Sequence, residues 1–357
     1  MITSVDIKSM SVSECRAFFA SLGEPAFRAD QTLEWLYRAR LSSYASMTNL
    51  PIRLRQLLAE ATPIRPSEAI AKVRSTDGTR KYLVGLADGN AVETVLMPHD
   101  YGLSLCVSSQ VGCAMGCSFC ASGIGGLVRS LECSEMIDQI LAVSNDVGNE
   151  RVSSVVMMGS GEPLANYENV LKFIKLINWD RGFGIGYRHI TVSTCGILPG
   201  IRKLSGEGLP ITLSVSLHAP DDDTRTAIMK INRTYPVKEL VNACSEYAEI
   251  TGRRVTYEYS LISGVNDSSD HAAMLAALIR GTLCHVNLIR LNPVAETGLE
   301  RSSADAAERF GKILRTSGIE TTIRREMGAD IDAACGQLRR RWLREGGSLG
   351  SDCDHTV

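Results

Sequence analysis

An α/β fold is predicted: a partial (β/α)6 barrel with a small helical N-terminal domain and a short β linker. Three observations lead there. From Leu103 onward strand-like and helix-like segments alternate, the pattern that builds a parallel sheet. Before them lie short strand patterns punctuated by glycine, and the chain opens on amphipathic helical periods. With 357 residues, 44% hydrophobic and 22% charged, the composition is that of an ordinary globular protein with enough chain for a buried core.

The elements follow in order. Ser11 to Leu22, Gln31 to Arg40 and Ile52 to Ala59 read as short amphipathic helices, the first two separated by a Gly-Glu-Pro turn. Ala69 to Val73, Arg80 to Leu86 and Ala91 to Met97 read as strands about the turns Asp77-Gly78 and Gly89-Asn90. The barrel strands are Leu103 to Ser108, Ser153 to Gly159, His189 to Ser193, Thr212 to His218, Arg254 to Ile262, His285 to Leu291 and Thr321 to Arg325. Helices Ser134 to Asn145, Tyr167 to Asn178, one near Ile201, others at Asp222 and Pro236 to Glu249, Ser268 to Arg280 and Ser303 to Ser317 fill the gaps. This divides the chain into a helical accessory domain (1–62), the linker (63–98), the barrel core with a C-terminal cysteine loop (99–345) and a tail (346–357).

A net charge of −2 gives no global sign of nucleic-acid binding, so local charge must decide. Arg16, Arg28, Arg38, Arg40, Arg53 and Arg55 give the helical start a basic cast, which is either a solvated face or a surface for phosphates. Eleven cysteines, with no signal-peptide pattern and no apolar run of transmembrane length, suit the reducing cytoplasm. Cytoplasmic location, no membrane partner and a monomer are the expectations. Cys15, Cys133, Cys244 and Cys353 read as chemically idle.

Cys113, Cys117 and Cys120 stand in the run Cys-Ala-Met-Gly-Cys-Ser-Phe-Cys just beyond the first barrel strand. Three thiolates on a tight loop hold three irons of a 4Fe-4S cluster, and no fourth cysteine lies at a suitable local spacing. The iron left over is free to bind a small molecule, the pattern of radical S-adenosylmethionine (SAM) enzymes. Structural zinc is the alternative, but it closes with four ligands at set spacing, and the nearest downstream histidine, His189, is far off.

Chemistry in such barrels gathers at the carboxyl ends of the strands. There lie Met157-Met-Gly-Ser-Gly161-Glu162-Pro163, Ser193-Thr-Cys-Gly196, Ser216-Leu-His218-Ala-Pro220 and Leu291-Asn292-Pro293. The glycines permit close backbone approach, and Glu162 can accept hydrogen bonds from an ammonium group. His218 is assigned to binding rather than proton transfer. A second chemical signal is Cys335, flanked by small residues after the last strand, a candidate nucleophile or simply a buried structural cysteine.

Leu105-Cys-Val-Ser-Ser-Gln-Val-Gly-Cys113, Met158-Gly-Ser-Gly-Glu-Pro163, Ile190-Thr-Val-Ser-Thr194, Ser216-Leu-His-Ala-Pro220 and Asp330-Ile-Asp-Ala-Ala-Cys-Gly-Gln-Leu338 together closely resemble the RlmN/Cfr family of radical SAM RNA methyltransferases, from about Ser11 to Arg341. The resemblance implies two SAM molecules per turnover. Cys335 takes a methyl group from one, becoming S-methylcysteine. The other, on the cluster of Cys113, Cys117 and Cys120, yields a radical that removes hydrogen from that methyl group. The methylene radical adds to an adenine carbon, and Cys106 resolves the covalent RNA adduct by forming a transient disulfide with Cys335. Glu93 matches the family's proton acceptor. Gly161, Glu162, Ser193, Ser216, Leu217, His218 and Asn292 match its SAM contacts.

The implied partners are 23S rRNA near the peptidyl-transferase centre, tRNA at the adenine 3′ to the anticodon, and an external electron donor such as flavodoxin. Phosphate contacts are expected from the N-terminal helices and from Arg339, Arg340, Arg341 and Arg344. Gly125-Gly-Leu-Val-Arg129 and Pro163 resemble the RlmN branch, which methylates adenine carbon 2; Arg290 resembles Cfr, which methylates carbon 8 and confers antibiotic resistance. Two other classes remain open: a radical SAM enzyme on a non-RNA substrate, and a non-catalytic metal-cluster RNA-binding protein.

Overall fold

The computed structural model describes residues 5–148, 150–294, 296–331, 337–344 and 346. Three helices begin it: α1 (Val12–Ser21), α2 (Ala26–Tyr37) and α3 (Ile52–Ala61). Ser11 and Glu14 close a reciprocal capping box at the start of α1. Helix α2 starts earlier than its apolar period suggests, because Pro25 sits at its N-cap, where a missing N–H costs nothing. It ends by Tyr37, and Arg40 turns the chain with φ 57°.

Among the described residues ten strands form one sheet. β1 (Glu68–Arg74), β2 (Arg80–Gly85) and β3 (Ala91–His99) are antiparallel, and β3 pairs antiparallel with β4 (Gly102–Cys106). The expected linker strands therefore continue the barrel sheet. From β4 the order runs in parallel through β7 (Val152–Met157), β8 (Ile190–Thr194), β9 (Thr212–Ser216), β10 (Val255–Leu261), β11 (Cys284–Arg290) and β12 (Thr321–Ile323). Helices α4 (Cys133–Asp146), α5 (Tyr167–Asn178), α6 (Leu198–Ser205), α7 (Asp222–Ile228), α8 (Val237–Thr251), α9 (Ser269–Leu278) and α10 (Ala304–Thr316) return the chain between them. The fold is thus an α/β radical SAM-type partial barrel with a helical start. No helix among the described residues is long and apolar enough to cross a membrane.

Two elements were not anticipated. β5 (Gln110–Gly112) and β6 (Leu127–Ser130) pair only with each other, as a small hairpin whose tip carries the cysteine loop. Gly112 is required there: its φ is 77°, and a Cβ would stand 2.1 Å from the Gly126 carbonyl oxygen. Helix α11 (Gln337–Arg344) follows the Ala-Ala-Cys-Gly run. Leu338 packs it on Leu83 and Ala91, with Trp342 alongside.

The N-terminal helices share one apolar core with the barrel: Phe19, Leu33 and Leu36 belong to the same cluster as Met136, Ile140, Phe173 and Ile177. A buried ion pair crosses the seam, with Lys8 Nζ 2.6 Å from Asp138. The arginines of this region are mostly occupied within the chain. Arg16 pairs with Asp30 at 2.8 Å, Arg28 and Arg55 donate to the Asn49 and Ala45 carbonyls, and Arg40 caps the end of α4 through the Ser144 and Gly148 carbonyls. Arg38 and Arg53 stay exposed.

Candidate active site

A cavity of about 300 Å³ opens at the carboxyl ends of the parallel strands. Cys113, Cys117 and Cys120 line it from one side; Gly161, Glu162, Ser193, Ser216, His218 and Asn292 line it from the ends of β7, β8, β9 and β11. Leu217 differs from this set. It is fully buried away from the cavity, with its N–H on Glu258 O at 3.1 Å and its carbonyl accepting from Arg225.

The cysteine loop is held by backbone bonds rather than by its own fold. Cys113 N donates to Gly126 O at 3.1 Å, and Ser118 N donates to Ile228 O, at the end of α7, at 2.9 Å. Cys117 and Phe119 pack against Cys195, Ile228 and Met229. Burial first, then Cys120, pushes Cys113 up to about 11; burial, then Cys120 and Cys113, pushes Cys117 up to about 12. The described residues contain no group of three His, Cys, Asp or Glu side chains arranged for a single metal ion. Three cysteines that feel one another in one cavity without converging on a point suit a cluster, in which each thiolate takes its own iron.

Glu162 is a structural junction as well as a cavity wall. Its Oε1 accepts from Leu164 N at 3.0 Å and its Oε2 from Cys195 N at 2.7 Å, while its own N–H donates to Gln110 at 2.9 Å. Burial still raises this carboxyl above the ordinary range, against those donors. A carboxylate tied on both oxygens to backbone is oriented rather than mobile, and its remaining lone pairs face the site.

His218 has φ 57°, unusual for a residue with a side chain. Its Nδ1 accepts from Ser260 N at 2.9 Å, which leaves the proton on Nε2. The ring meets Phe119 edge-on, with centroids 4.9 Å apart. Burial, then Arg225, lowers its pKa from 6.5 to about 3. It is therefore a neutral donor at physiological pH. A histidine with a depressed folded-state pKa takes up a proton on unfolding, so its stabilising contribution is full above pH 6.5 and falls as pH drops toward 3. The stability advantage of wild type over His218→Asn should shrink below pH 6.5, by up to about 1.4 kcal/mol per pH unit. Urea unfolding at pH 7.5, 6.5, 5.5 and 5 measures it; a gap that stays constant would refute the assignment.

A second cavity of about 310 Å³ adjoins the first, sharing Met158, Ile289, Asn292 and Arg324 with it. Cys106, 7% exposed, lines it with Val95, Met97 and Arg290. Cys335 lies outside the described residues. The chain on either side of it is anchored. Asp330 accepts from Ser75 Oγ at 2.5 Å and Thr76 N at 3.0 Å, and Gly328 N donates to Asp77 at 2.8 Å. Beyond the cysteine, Arg339 N in the first turn of α11 donates to Glu93 Oε1 at 2.6 Å. The other Glu93 oxygen pairs with Lys81 at 2.9 Å, both side chains buried. Glu93 thus lines neither cavity and caps a helix, where a carboxylate complements the dipole.

Several site residues escaped sequence reasoning. Glu258, 5% exposed, lines the first cavity and accepts from Ser214 at 2.7 Å and Asn287 at 2.8 Å. A lone acid inside the strand Val-Thr-Tyr-Glu-Tyr-Ser-Leu was its available signal. Arg301 fixes Asn292 Oδ1 at 2.6 Å and pairs with Glu326 at 2.6 Å, which turns the Asn292 amide N–H groups toward the cavity. Arg340 is paired with Glu296 at 2.8 Å, so it is not a free phosphate contact.

The comparisons with known proteins agree with this geometry. The radical SAM superfamily matches residues 107–276, and the ribosomal RNA large subunit methyltransferase N-terminal domain matches residues 5–64. The chain is 52% identical over 339 residues to a probable dual-specificity RNA methyltransferase RlmN from Desulforamulus reducens, covering 95% of this chain and 97% of that one. It is 52% identical over 342 residues to the protein of the same description from Symbiobacterium thermophilum, covering 95% and 92%. A crystal structure of a radical SAM methyltransferase from Sphaerobacter thermophilus superposes with a TM-score of 0.89 at 44% identity, over 93% of this chain and 98% of that one.

Proposed function

Because the chain belongs to the RlmN family of radical SAM RNA methyltransferases, which work with a 4Fe-4S cluster and SAM, we propose that it methylates carbon 2 of adenine in two RNAs: 23S rRNA at the peptidyl-transferase centre and tRNA at the position 3′ to the anticodon. The observation that carries the reading is the pair of joined cavities, one walled by the three loop cysteines and the other by Cys106. Relatives described as dual-specificity support the choice of two RNAs.

Cys113, Cys117 and Cys120 hold the cluster. Gly161, Glu162, Ser193, Ser216, His218 and Asn292 hold SAM, with Leu217 contributing through its backbone position. When bound, SAM supplies a methyl group in one event and, on the reduced cluster, a hydrogen-abstracting carbon radical in another. Cys335 carries the methyl group and its carbon bonds to the adenine, a base drawn out of its stack to reach the second cavity. Glu93 accepts the ring proton once the α11 N–H has released it. Cys106 attacks the Cys335 sulfur, the sulfur–carbon bond breaks as the disulfide forms, and the methylated RNA leaves. The reaction runs in a cytoplasmic monomer that draws electrons from a donor such as flavodoxin.

Arg290 favours a second reading. It lines the second cavity and is steadied by Ser302 O at 3.1 Å, so it stands where it can bear on how the base is turned. Carbon 8 would then be the target. Mass spectrometry of rRNA and tRNA fragments after reaction with reconstituted protein, SAM and reductant separates the two. A methyl group on carbon 2 of both RNAs is expected; one on carbon 8, or on rRNA alone, would overturn the assignment.

A further inference from the structure

Arg225, on α7, is the largest fully buried side chain among the described residues, and its guanidinium meets no carboxylate. Its five donors go to neutral oxygens: Leu217 O at 3.0 Å, Asn232 Oδ1 at 3.1 Å, Tyr235 O at 3.4 Å, Cys195 O at 2.7 Å and Ser216 O at 3.1 Å. Carbonyl dipoles solvate a cation without cancelling its charge. Buried arginine is ordinarily matched by an acid, so a full positive charge here calls for an anion nearby. The nearest carboxylate in the network, Asp222, is kept one residue away, because Asn232 stands between and donates to Asp222 Oδ1 at 3.0 Å.

The neighbourhood identifies the anion. Arg225 bonds to the carbonyls of Cys195 and Ser216, and both residues line the cavity with Cys113, Cys117 and Cys120. One turn further along α7, Ile228 O receives Ser118 N of the cysteine loop at 2.9 Å. The same guanidinium bears electrostatically on Cys117, Cys195 and His218. Glu162, also buried against this site, has the opposite sign. Lys230 approaches the loop at Gly116, but from the exposed side, where water screens it.

We propose that Arg225 is a positioning residue for electron uptake: its buried charge stabilises the reduced cluster and so raises the cluster's reduction potential. The inference rests on the cluster assignment above. Three thiolates on a cluster leave a net negative charge, and accepting one electron from the external donor adds another without making or breaking a bond. A fixed positive charge in a low-dielectric surrounding favours the more negative product. Arginine suits the task, since burial lowers its pKa without bringing it into the range where it would lose its proton.

The test is spectroelectrochemical titration of the reconstituted holoprotein without oxygen, with iron and sulfide counted for each variant. In Arg225→Met the reduced fraction at a fixed potential should fall about tenfold, which is about 59 mV for a one-electron couple. Arg225→Lys, which keeps the charge and loses most of the hydrogen bonds, should stay near wild type. Asp222→Asn, which keeps the acceptor for Val237 N and removes an opposing charge, should shift slightly the other way. A fully loaded Met variant at the wild-type potential would overturn the proposal, as would a Lys variant that falls as far as Met. Should the Met variant fail to fold, a Lys variant at the wild-type potential with Asp222→Asn moved upward supports it, and either one failing that pattern overturns it. Wild-type protein that takes up no four-iron cluster would instead refute the cluster assignment, before any potential is read.

Discussion

Cys106→Ala is expected to arrest the protein as a covalent adduct with its RNA, whereas Cys335→Ala is expected to form neither adduct nor methylated product. The two cysteines are separated by their tasks. One carries the carbon to the base, and the other breaks the sulfur–carbon bond afterwards. Without Cys106, which lines the second cavity at 7% exposure, the bond to Cys335 forms but has no thiol to displace it. Release of methylated RNA should drop by about a thousandfold or more, the scale of loss when a covalent participant is removed. Denaturing gels with labelled RNA measure it directly. A Cys106→Ala protein that turns over freely, or a Cys335→Ala protein that still methylates, would remove the covalent route.

Gly161→Ala should collapse the SAM-binding side of the site. Gly161 has φ 108°, and a Cβ there would lie 2.6 Å from Gln110 Cβ and 2.8 Å from Gln110 N. The neighbouring bond from Glu162 N to Gln110 would be forced apart, and with it the carboxylate that holds Leu164 N and Cys195 N. Strain and overpacking together should cost about 2–4 kcal/mol of stability, and SAM affinity should fall with it. Gly125→Ala is the control: its φ is 98° but nothing lies within 4 Å, so only the backbone strain of about 1 kcal/mol remains. Thermal unfolding and equilibrium SAM binding distinguish them. Equal losses at the two positions would mean that the close approach at Gly161 is not what matters.

The parts of this fold that were legible in the sequence are those with long, clean periods. Strands such as Val255–Leu261, and helices such as Tyr167–Asn178 with Val170, Phe173, Ile174 and Ile177 on one face, announce themselves because a core demands the pattern. The β5–β6 hairpin did not, since strands of three and four residues are too short to show an alternation. Helix α11 was hidden by its arginines. Leu338 and Trp342 are four apart on one face, but Arg339, Arg340, Arg341 and Arg344 suggested a phosphate surface instead of a docked helix. Within the site, the loop cysteines and strand-end residues were readable because their spacing is local. Arg225 and Glu258 were not. Each acquires its meaning from partners distant in sequence, as when Arg225 reaches back to Cys195 and Glu258 across to Ser214 and Asn287.

The anchors flanking Cys335 bear on how fast its partner can find it. Asp330 is held by the turn at Ser75 and Thr76, and Arg339, nine residues on, is held by Glu93. Such a tether spans at most roughly 30 Å even when stretched, so the thiol between the anchors explores a small volume. Its effective concentration toward any group on the second cavity's wall is then of millimolar order or above, set by chain length rather than by how much protein is present. Dilution leaves the exchange between the two sulfurs unaffected, while a single insertion in the tether, or the loss of either anchor, would lower its rate.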